Sequence, residues 1–318
     1  MQTNLKNFLK QDIDKPKIIV IYWPTGAWKT SMSINIAKEI NSEIISTDSR
    51  QIFKYLNIWT GKITQQEKEW IKHHMIDIIN PNEEYSLWEF NKKATKIINN
   101  LHKKWKIPIL CWWTWLYIDS LIYDFDIPKV PKNEELRNTF EEEAKRFWNK
   151  YVYDELVKID SEYAKTLHPN NLRYIIRALE VKILTWKSKK EFKKQKILKY
   201  DSFFITPYYK NREELYDKIN RRVKEMFNEW LVDEVKDLLK KWYKKTDFWM
   251  KTIWYGEVIS YLEWEIFLKE CISLVQQHNR NYAKRQLTWF RNYEGIGKLK
   301  IYKGLKPSVD ICRNQQTD

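Results

Sequence analysis

The chain has 318 residues, of which 43% are hydrophobic, and this suits one large α/β domain with an insertion, or two domains. The net charge of +15 and the pI near 9.4 favour a polyanionic partner, although a composition rich in Lys, Ile and Asn is also typical of an AT-rich genome. No apolar run approaches about 18 residues, the N-terminus lacks the apolar core of a signal peptide, and three scattered cysteines suit neither a disulfide framework nor a zinc site, so we expect a cytoplasmic protein without a membrane span.

Residues 22–30 read Y-W-P-T-G-A-W-K-T and stand where a phosphate-binding loop is expected. They follow an apolar run at 17–22 and precede an apolar stripe of helical spacing in 29–40, which is the order that the motif requires. With glycine in place of Trp23 and Trp28, the stretch would satisfy G-x-x-x-x-G-K-[ST]. The written tryptophans do not fit, because this loop adopts backbone conformations that only a residue without a Cβ visits freely.

A shortage of glycine and a surplus of tryptophan extend along the whole chain. An average glycine usage of about 7% would give roughly 22 glycines, whereas the chain has 6, beside 17 tryptophans. Further tryptophans stand where turns or helix ends favour glycine, namely Trp112, Trp113, Trp115, Trp186 and Trp242. We hypothesise that most tryptophans are glycine in the native protein, written as Trp because a reassigned UGA codon was translated with the wrong table. The alternative is a truly Trp-rich protein, in which aromatic residues should favour core or interface positions.

Three apolar segments predict parallel strands, and each precedes a stretch of helical spacing. The predicted strands are residues 17–22, 43–47 and 106–111, and the predicted helices lie near 29–40, 86–104 and 115–123. This alternation predicts a doubly wound sheet whose ligand site lies at the carboxyl ends of the strands.

The segment I-P-K-V-P-K at 127–132 interrupts the alternation, and residues 133–186 have helical spacing without an intervening strand. We predict an inserted helical domain there. A strand at 200–206 returns to the core, the later segments are mostly helical, and the charge run at 187–196 is typical of a solvated surface.

The predicted fold class is therefore α/β, with a P-loop-type doubly wound parallel sheet and an inserted helical domain. The predicted divisions are 1–126 for the first part of the core, 127–187 for the insertion, 188–295 for the second part of the core with basic helices, and 296–318 for a tail.

A series of motifs runs through the chain in a characteristic order. It comprises Y-W-P-T-G-A-W-K-T, I-I-S-T-D-S-R-Q-I-F, N-I-W-T-G-K, H-H-M-I-D-I, L-C-W-W-T-W-L-Y, H-P-N-N-L-R-Y-I-I-R-A-L-E-V, K-I-N-R-R-V-K-E-M and N-Y-A-K-R-Q-L-T-W-F-R. In order and spacing it resembles the bacterial tRNA dimethylallyltransferase family from about residue 17 to residue 293. In this resemblance Trp289 matches a family tryptophan, and the other motif tryptophans fall on family glycines.

The resemblance implies transfer of a dimethylallyl group from dimethylallyl diphosphate to the exocyclic amine of the adenosine just 3′ of the tRNA anticodon. Lys29 would neutralise the leaving diphosphate, Thr30 would offer a hydroxyl to Mg²⁺, and Arg222 would form a second clamp. The implied diphosphate-binding residues are Trp23, Pro24, Thr25, Gly26, Ala27, Trp28, Lys29, Thr30 and Arg222. ATP binding is indicated by the motif only. Lys218 stands where the family usually has Arg, which alters the clamp.

The acceptor amine is a poor nucleophile, so a carboxylate should accept its proton, and Asp48 is the candidate base. The alternative for an Asp at a strand end is an N-cap. Thr114 would bond the flipped base or its phosphate, which gives Asp48, Thr114 and Lys29 as the catalytic residues. The implied tRNA-binding residues are Asp48, Ser49, Arg50, Gln51, Thr114, Arg137, Arg177, Arg280 and Arg285. Gly256 stands where the family usually has Lys or Arg, so that RNA contact is lost.

We expect a monomer that binds the anticodon stem-loop of tRNA, with a basic, aromatic helix near 279–291 and the insertion as its two grips. His73 and His74 are adjacent and without ligand-spaced partners, which favours a structural role over a metal site. Two other functions stay open: a P-loop small-molecule or nucleotide kinase, and a tRNA-binding homologue that is inactive because its loop tryptophans are real.

Overall fold

The protein is described here as a computed structural model. It describes residues 2–11, 14–22, 29–111, 114–128, 130, 132–192, 194–206, 212–241, 243–244, 247, 254–294 and 300–303. No helix within these ranges has the length and the apolar character needed to cross a membrane.

The helices lie mostly where the sequence predicts them. They are α1 (Gln2–Lys10), α2 (Lys29–Glu39), α3 (Gln65–Lys68), α4 (Leu87–Lys103), α5 (Trp115–Ile122), α6 (Glu134–Ile159), α7 (Ser161–Ala164), α8 (Leu172–Thr185), α9 (Arg212–Asn228), α10 (Leu231–Lys240), α11 (Tyr255–Leu262) and α12 (Leu268–Glu294). The strands are β1 (Lys17–Ile21), β2 (Ile44–Ser46), β3 (His73–His74), β4 (Ile109–Cys111), β5 (Tyr123–Phe125), β6 (Lys194–Leu198), β7 (Asp201–Thr206) and β8 (Lys300–Lys303).

Six strands form one parallel sheet in the order β3-β2-β4-β1-β7-β8. Its central strands are buried and apolar, as expected for a sheet covered on both faces. Ile19 pairs with Ile109, and Leu110 pairs with Ile45 on the next strand. The predicted fold class, a doubly wound parallel sheet, is thereby confirmed.

Within the described ranges, four strands and two helices, α1 and α3, were not predicted from the sequence. β3 has only two residues, and β5 pairs with β6 in a separate two-stranded sheet. Most of β6 lies inside the charge run at 187–196. The high charge of this run predicted a solvated surface and gave no sign that the segment pairs with β5. β8 lies in the segment predicted as a tail, which corrects that prediction for residues 300–303. It stands at one edge of the sheet and has a lysine at each end, and lysines are typical of a sheet edge. Phe8 of α1 packs on Phe203, with ring centroids 4.9 Å apart.

The chain divides into two compact units. One comprises Met1–Tyr85, Phe90–Ile122 and Leu198–Asp318, and contains the six-stranded sheet. The other comprises Ser86–Glu89 and Tyr123–Ile197, and contains α6, α7 and α8 with the β5–β6 ribbon. Its core is an apolar cluster that includes Val152, Leu156, Ile175 and Leu179.

A buried carboxylate holds the second unit together. The Glu180 side chain is fully buried on α8 and accepts two hydrogen bonds from the Arg137 guanidinium, at 2.8 and 2.7 Å, and one from the Asn133 backbone N–H at 2.8 Å. Arg177 donates to the same carboxylate. Burial raises the pKa of Glu180, but the donors outweigh burial and hold the pKa below its ordinary value.

Glu180→Ala should lower the free energy of unfolding by about 3 kcal/mol, because it leaves buried donors without their acceptor. Denaturant unfolding measures this change. Glu162→Ala is the matched control, because that carboxylate pairs with Lys165 on the surface of the same unit and its loss should have no measurable effect.

The stabilisation by Glu180 is present above the ordinary glutamate pKa and is lost as the pH falls through the lower folded value. Glu180→Gln should remove this part of the acid sensitivity. Equal slopes of unfolding free energy for the wild type and the Gln variant between about pH 5 and pH 3 would contradict the assignment.

Candidate active site

The sheet brings two predicted site residues to one edge. Backbone pairing continues past the carboxyl ends of β2 and β4, where the Thr47 N–H donates to the Cys111 oxygen at 2.9 Å and the Thr114 N–H donates to the Thr47 oxygen at 3.0 Å. Asp48 follows Thr47 directly. Asp48 and Thr114 therefore lie at the carboxyl edge, where ligands bind in doubly wound sheets.

The turn after β2 is fixed by side chains at both of its ends. Asp48 is 1% exposed, and its Oδ1 accepts the Arg50 N–H at 2.7 Å. The Thr114 hydroxyl oxygen accepts the Ser49 N–H at 2.9 Å. Asp48 thus makes the local backbone bond of the N-cap alternative, but that bond uses one carboxylate oxygen and does not exclude a catalytic role.

Two buried cations share the surroundings of Asp48. Burial lowers the pKa of both Arg50 and Arg222, and in each case the negative charge of Asp48 acts in the opposite direction. Burial and Asp48 raise the pKa of Tyr282 to about 12, so its phenol is neutral at ordinary pH. Two guanidinium groups around one carboxylate leave positive charge in excess, which suits an anionic substrate.

Arg222 packs against a glycine that the sequence analysis did not single out. Gly61 has φ of 54°, and a Cβ there would lie 1.9 Å from Arg222 Nη2. Only glycine lets the guanidinium occupy this place without displacement. The signal available in the sequence was that Gly61 is one of the few glycines written in a glycine-poor chain.

Gln51 links the end of β2 to the segment that carries Thr60 and Gly61. It is 1% exposed, its Nε2 donates to the Thr60 oxygen at 3.2 Å and to the Gly61 oxygen at 3.4 Å, and its Oε1 accepts the Ser46 hydroxyl at 3.0 Å. We predicted an RNA contact for Gln51. The structure instead gives both amide atoms internal partners, so we expect Gln51 to act by holding the turn.

Glu234 of α10 binds the beginning of the segment that carries Gly61. Its Oε2 accepts the backbone N–H groups of Asn57 and Ile58 at 2.8 and 2.9 Å, and its Oε1 accepts the Tyr255 hydroxyl at 2.8 Å. Burial, followed by the charge of Glu234, raises the pKa of Tyr255 well above its ordinary value. The segment from Asn57 to Gly61 is thereby tied to α10 and α11.

The arginines predicted to contact RNA differ in their surroundings, because some are paired with other side chains and Arg285 is exposed. Arg280 donates from Nη1 to Asn220 Oδ1 at 2.6 Å and so joins α12 to α9, whereas Arg285 is exposed and lies 5.5 Å from the Tyr282 ring centroid. In the other unit, Arg137 and Arg177 bind Glu180. That unit also contains a cavity of about 420 Å³, lined in part by Arg137, Lys145, Asn149 and Arg173.

Some predictions lie beyond what the structure describes. Residues 23–28 of the loop, the pair at 112–113 and the side chains of Lys29 and Thr30 are outside it, so the diphosphate loop and the Mg²⁺ ligand stay predictions. Within the described ranges, no group of three or more His, Cys, Asp or Glu side chains is arranged to hold a metal ion. His74 Nε2 lies 2.6 Å from Glu43 Oε2, which gives this histidine a structural partner.

Comparison with known proteins agrees with the motifs. The family model described as IPP transferase matches residues 51–293. A tRNA dimethylallyltransferase of Alkaliphilus oremlandii is 46% identical over 302 residues, which are 94% of this chain and 95% of the relative. A crystal structure of the full-length tRNA isopentenylpyrophosphate transferase from Bacillus halodurans is 35% identical, with a TM-score of 0.64 and coverage of 91% of this chain and 90% of that one.

A structure of a eukaryotic dimethylallyltransferase acting on tRNA has a TM-score of 0.78 at 28% identity, and the match covers 91% of this chain and 74% of that one. The parallel sheet, the Asp48 turn at its carboxyl edge and the family match over most of the length agree with one another, and on this evidence the chain belongs to the bacterial tRNA dimethylallyltransferase family.

Proposed function

We propose that this chain transfers a dimethylallyl group from dimethylallyl diphosphate to the exocyclic amine of the adenosine 3′ of the anticodon in tRNA, and releases pyrophosphate in the cytoplasm. The observation that carries the proposal is the buried Asp48, fixed at the carboxyl edge of the sheet with Arg50 and Arg222 around it. A kinase would give no role to the D-S-R-Q turn or to the basic α12. ATP hydrolysis without RNA is the result that would favour a kinase.

The chemistry divides between these groups. A bond forms between the amine nitrogen and the allylic carbon while the bond from that carbon to the diphosphate oxygen breaks. Asp48 accepts the amine proton, and the charge on the leaving pyrophosphate is neutralised by Lys29 and Arg222. Thr114 holds the turn that aims Asp48. Mg²⁺ bound through Thr30 would add further charge neutralisation to the leaving group.

The two RNA-binding regions outside the catalytic pocket are likewise proposals. An adenine in the anticodon loop must be unstacked to reach the donor, so the enzyme needs contacts outside the catalytic pocket. We assign them to the insertion, predicted at 127–187, and to α12. Because Arg137 and Arg177 are engaged by Glu180, we expect their exposed neighbours Lys145 and Arg173 to contact phosphates more directly.

The tryptophan positions support glycine as the native residue. Of the eleven described tryptophans, six have φ between 56° and 98°, namely Trp105, Trp148, Trp186, Trp230, Trp254 and Trp264. A positive φ is a genuine outlier for a bulky residue. Glycine adopts it at no steric cost, so we propose that most of the written tryptophans are glycine in the native protein.

Helix ends and exposure point the same way. Trp186 caps α8 in the left-handed conformation, and Trp105 occupies the corresponding place after α4, where the Lys106 N–H donates to the Leu101 oxygen at 3.0 Å. That conformation costs a residue with a Cβ roughly 1–2 kcal/mol. Trp105 and Trp264 are 96% and 92% exposed, which is not where a Trp-rich protein would place aromatic rings. With glycine at 23 and 28, the stretch would satisfy the phosphate-loop motif, and the inactive-homologue alternative would lose its basis.

Asp48→Asn should lower the single-turnover rate of prenylation by about 100-fold or more, because the amide is not a base. Asparagine retains an oxygen that can accept the Arg50 N–H, so the turn should persist and tRNA affinity should stay nearly unchanged. Asp77→Asn is a control at an exposed carboxylate that pairs with Lys62. A prenylation rate of Asp48→Asn equal to that of the wild type would rule out Asp48 as the base.

The natively expressed protein should have a mass below the 39.2 kDa of the written chain, by the Trp-to-Gly difference at up to sixteen positions, which are all tryptophans except Trp289. Intact-protein mass spectrometry measures this, and the gene should carry UGA at those codons and UGG at codon 289. A native mass equal to that of the written chain would establish a Trp-rich protein and favour the inactive homologue.

A further inference from the structure

The Glu234 carboxylate holds one end of a segment of backbone that is closed on itself. Its Oε2 accepts the N–H groups of Asn57 and Ile58 at 2.8 and 2.9 Å. Further along the segment, the Gly61 N–H donates to the Ile58 oxygen at 3.1 Å. The Lys62 N–H donates to the Asn57 oxygen at 2.9 Å. Because these two bonds join the ends of the segment, a displacement of its beginning also displaces Gly61.

Glu234 is itself held in one orientation. Tyr255, the first residue of α11, is 1% exposed, and its hydroxyl donates to Glu234 Oε1 at 2.8 Å. Both carboxylate oxygens therefore have partners. Hydrogen bonds to an ionised acceptor are roughly twice as strong as those between neutral groups, so this carboxylate fixes where residues 57–61 lie against α10.

Arg222 depends on the same pair of helices. It projects from α9, and its guanidinium lies against Gly61, where a Cβ would be 1.9 Å from Nη2. Helices α9 and α10 follow one another in the chain and share an apolar cluster that includes Val223 and Val235. The backbone that carries the Arg222 side chain and the backbone that supports its guanidinium are thus both fixed to α9 and α10.

We propose that Glu234 is a positioning residue for the diphosphate, which fixes residues 57–61 and thereby the place of the Arg222 guanidinium. The inference rests on the proposed function. The charges that act most on Arg222 are those of Asp48 and of two carboxylates on α9, so Glu234 acts through the backbone of the segment. Without Glu234, the guanidinium is present but is no longer held where the leaving group needs it.

Steady-state kinetics of the natively translated protein, with a saturating anticodon stem-loop RNA, test this role. Glu234→Ala should lower kcat/KM for dimethylallyl diphosphate by about 10-fold or more, because a charged contact is displaced. The Kd for the RNA should stay close to that of the wild type, because the proposed RNA-binding regions lie outside residues 57–61. Asp237→Ala is the matched control on α10, since that exposed carboxylate pairs with Lys240 at the surface.

Glu234→Gln should restore most of the activity that Glu234→Ala loses. The amide oxygen can accept the two backbone N–H groups, and the amide nitrogen can donate to the Tyr255 hydroxyl oxygen. The segment then stays in place without the charge, and kcat/KM should lie within about 3-fold of the wild type, because the hydrogen bonds are weaker but retained. A Gln variant as impaired as the Ala variant would contradict a positioning role.

A double-mutant cycle separates positioning from a general loss of stability. In an Arg222→Ala background, Glu234→Ala should have no further effect on kcat/KM, because the group that it positions is gone. If Glu234→Ala does not fold, Tyr255→Phe replaces it in the cycle. That change removes the donor to Oε1, and its smaller loss should likewise disappear in the absence of the Arg222 guanidinium.

Two results would overturn the inference: a wild-type kcat/KM for the diphosphate in the folded variant used in the cycle, or an equal loss with and without the Arg222 guanidinium. Absence of prenylation in the wild type would instead contradict the proposed function, so the two failures are distinguishable.

Discussion

The packing of the Arg222 guanidinium against Gly61, with Asp48 as its counter-charge, is the constraint on which the rest of the site depends. A buried guanidinium is unfavourable unless a negative charge lies near it, and Asp48 supplies that charge at the carboxyl edge of the sheet. The same carboxylate is the proposed base. In the proposed mechanism, one electrostatic arrangement aims the base for the RNA and holds a cation for the diphosphate, so that a single edge of the sheet would serve two chemically different substrates.

Much of the surrounding structure fixes this arrangement. Gln51 ties the end of β2 to the turn that carries Gly61, and Glu234 ties the beginning of that turn to α10. Loss of either side chain would therefore alter the site even if that side chain contacts no substrate. Removal of either should displace Arg222 before it unfolds the protein, because both bind the backbone of one short segment. A phosphate loop alone would not require such support.

The sequence predicted what depends on local pattern and family motifs: the apolar strands β1, β2 and β4, the strand β7, the helices other than α1 and α3, and the place of Asp48 and Thr114 at the sheet edge. It did not predict what depends on contacts distant in the chain. β8 is a lysine-rich strand only because β7 lies beside it, and β6 only because β5 does. The roles of Gln51 and Gly61 follow from where their atoms point, which no spacing reveals. The tryptophans differ from these residues, because the composition already suggested that they are glycine in the native protein. The positive φ of six of them supports that hypothesis.

Affinity for dimethylallyl diphosphate in Gly61→Ala, compared with Gly256→Ala, tests the central constraint most directly, since an added Cβ meets Arg222 at the first position and open space at the second. Gly61→Ala should weaken diphosphate binding by about 10-fold or more, as expected for a displaced charged contact, while tRNA affinity and the Gly256→Ala protein stay close to the wild type. In an Arg222→Ala background, Gly61→Ala should have no further effect on the diphosphate. Unchanged diphosphate affinity in Gly61→Ala, or full additivity with Arg222→Ala, would contradict the account.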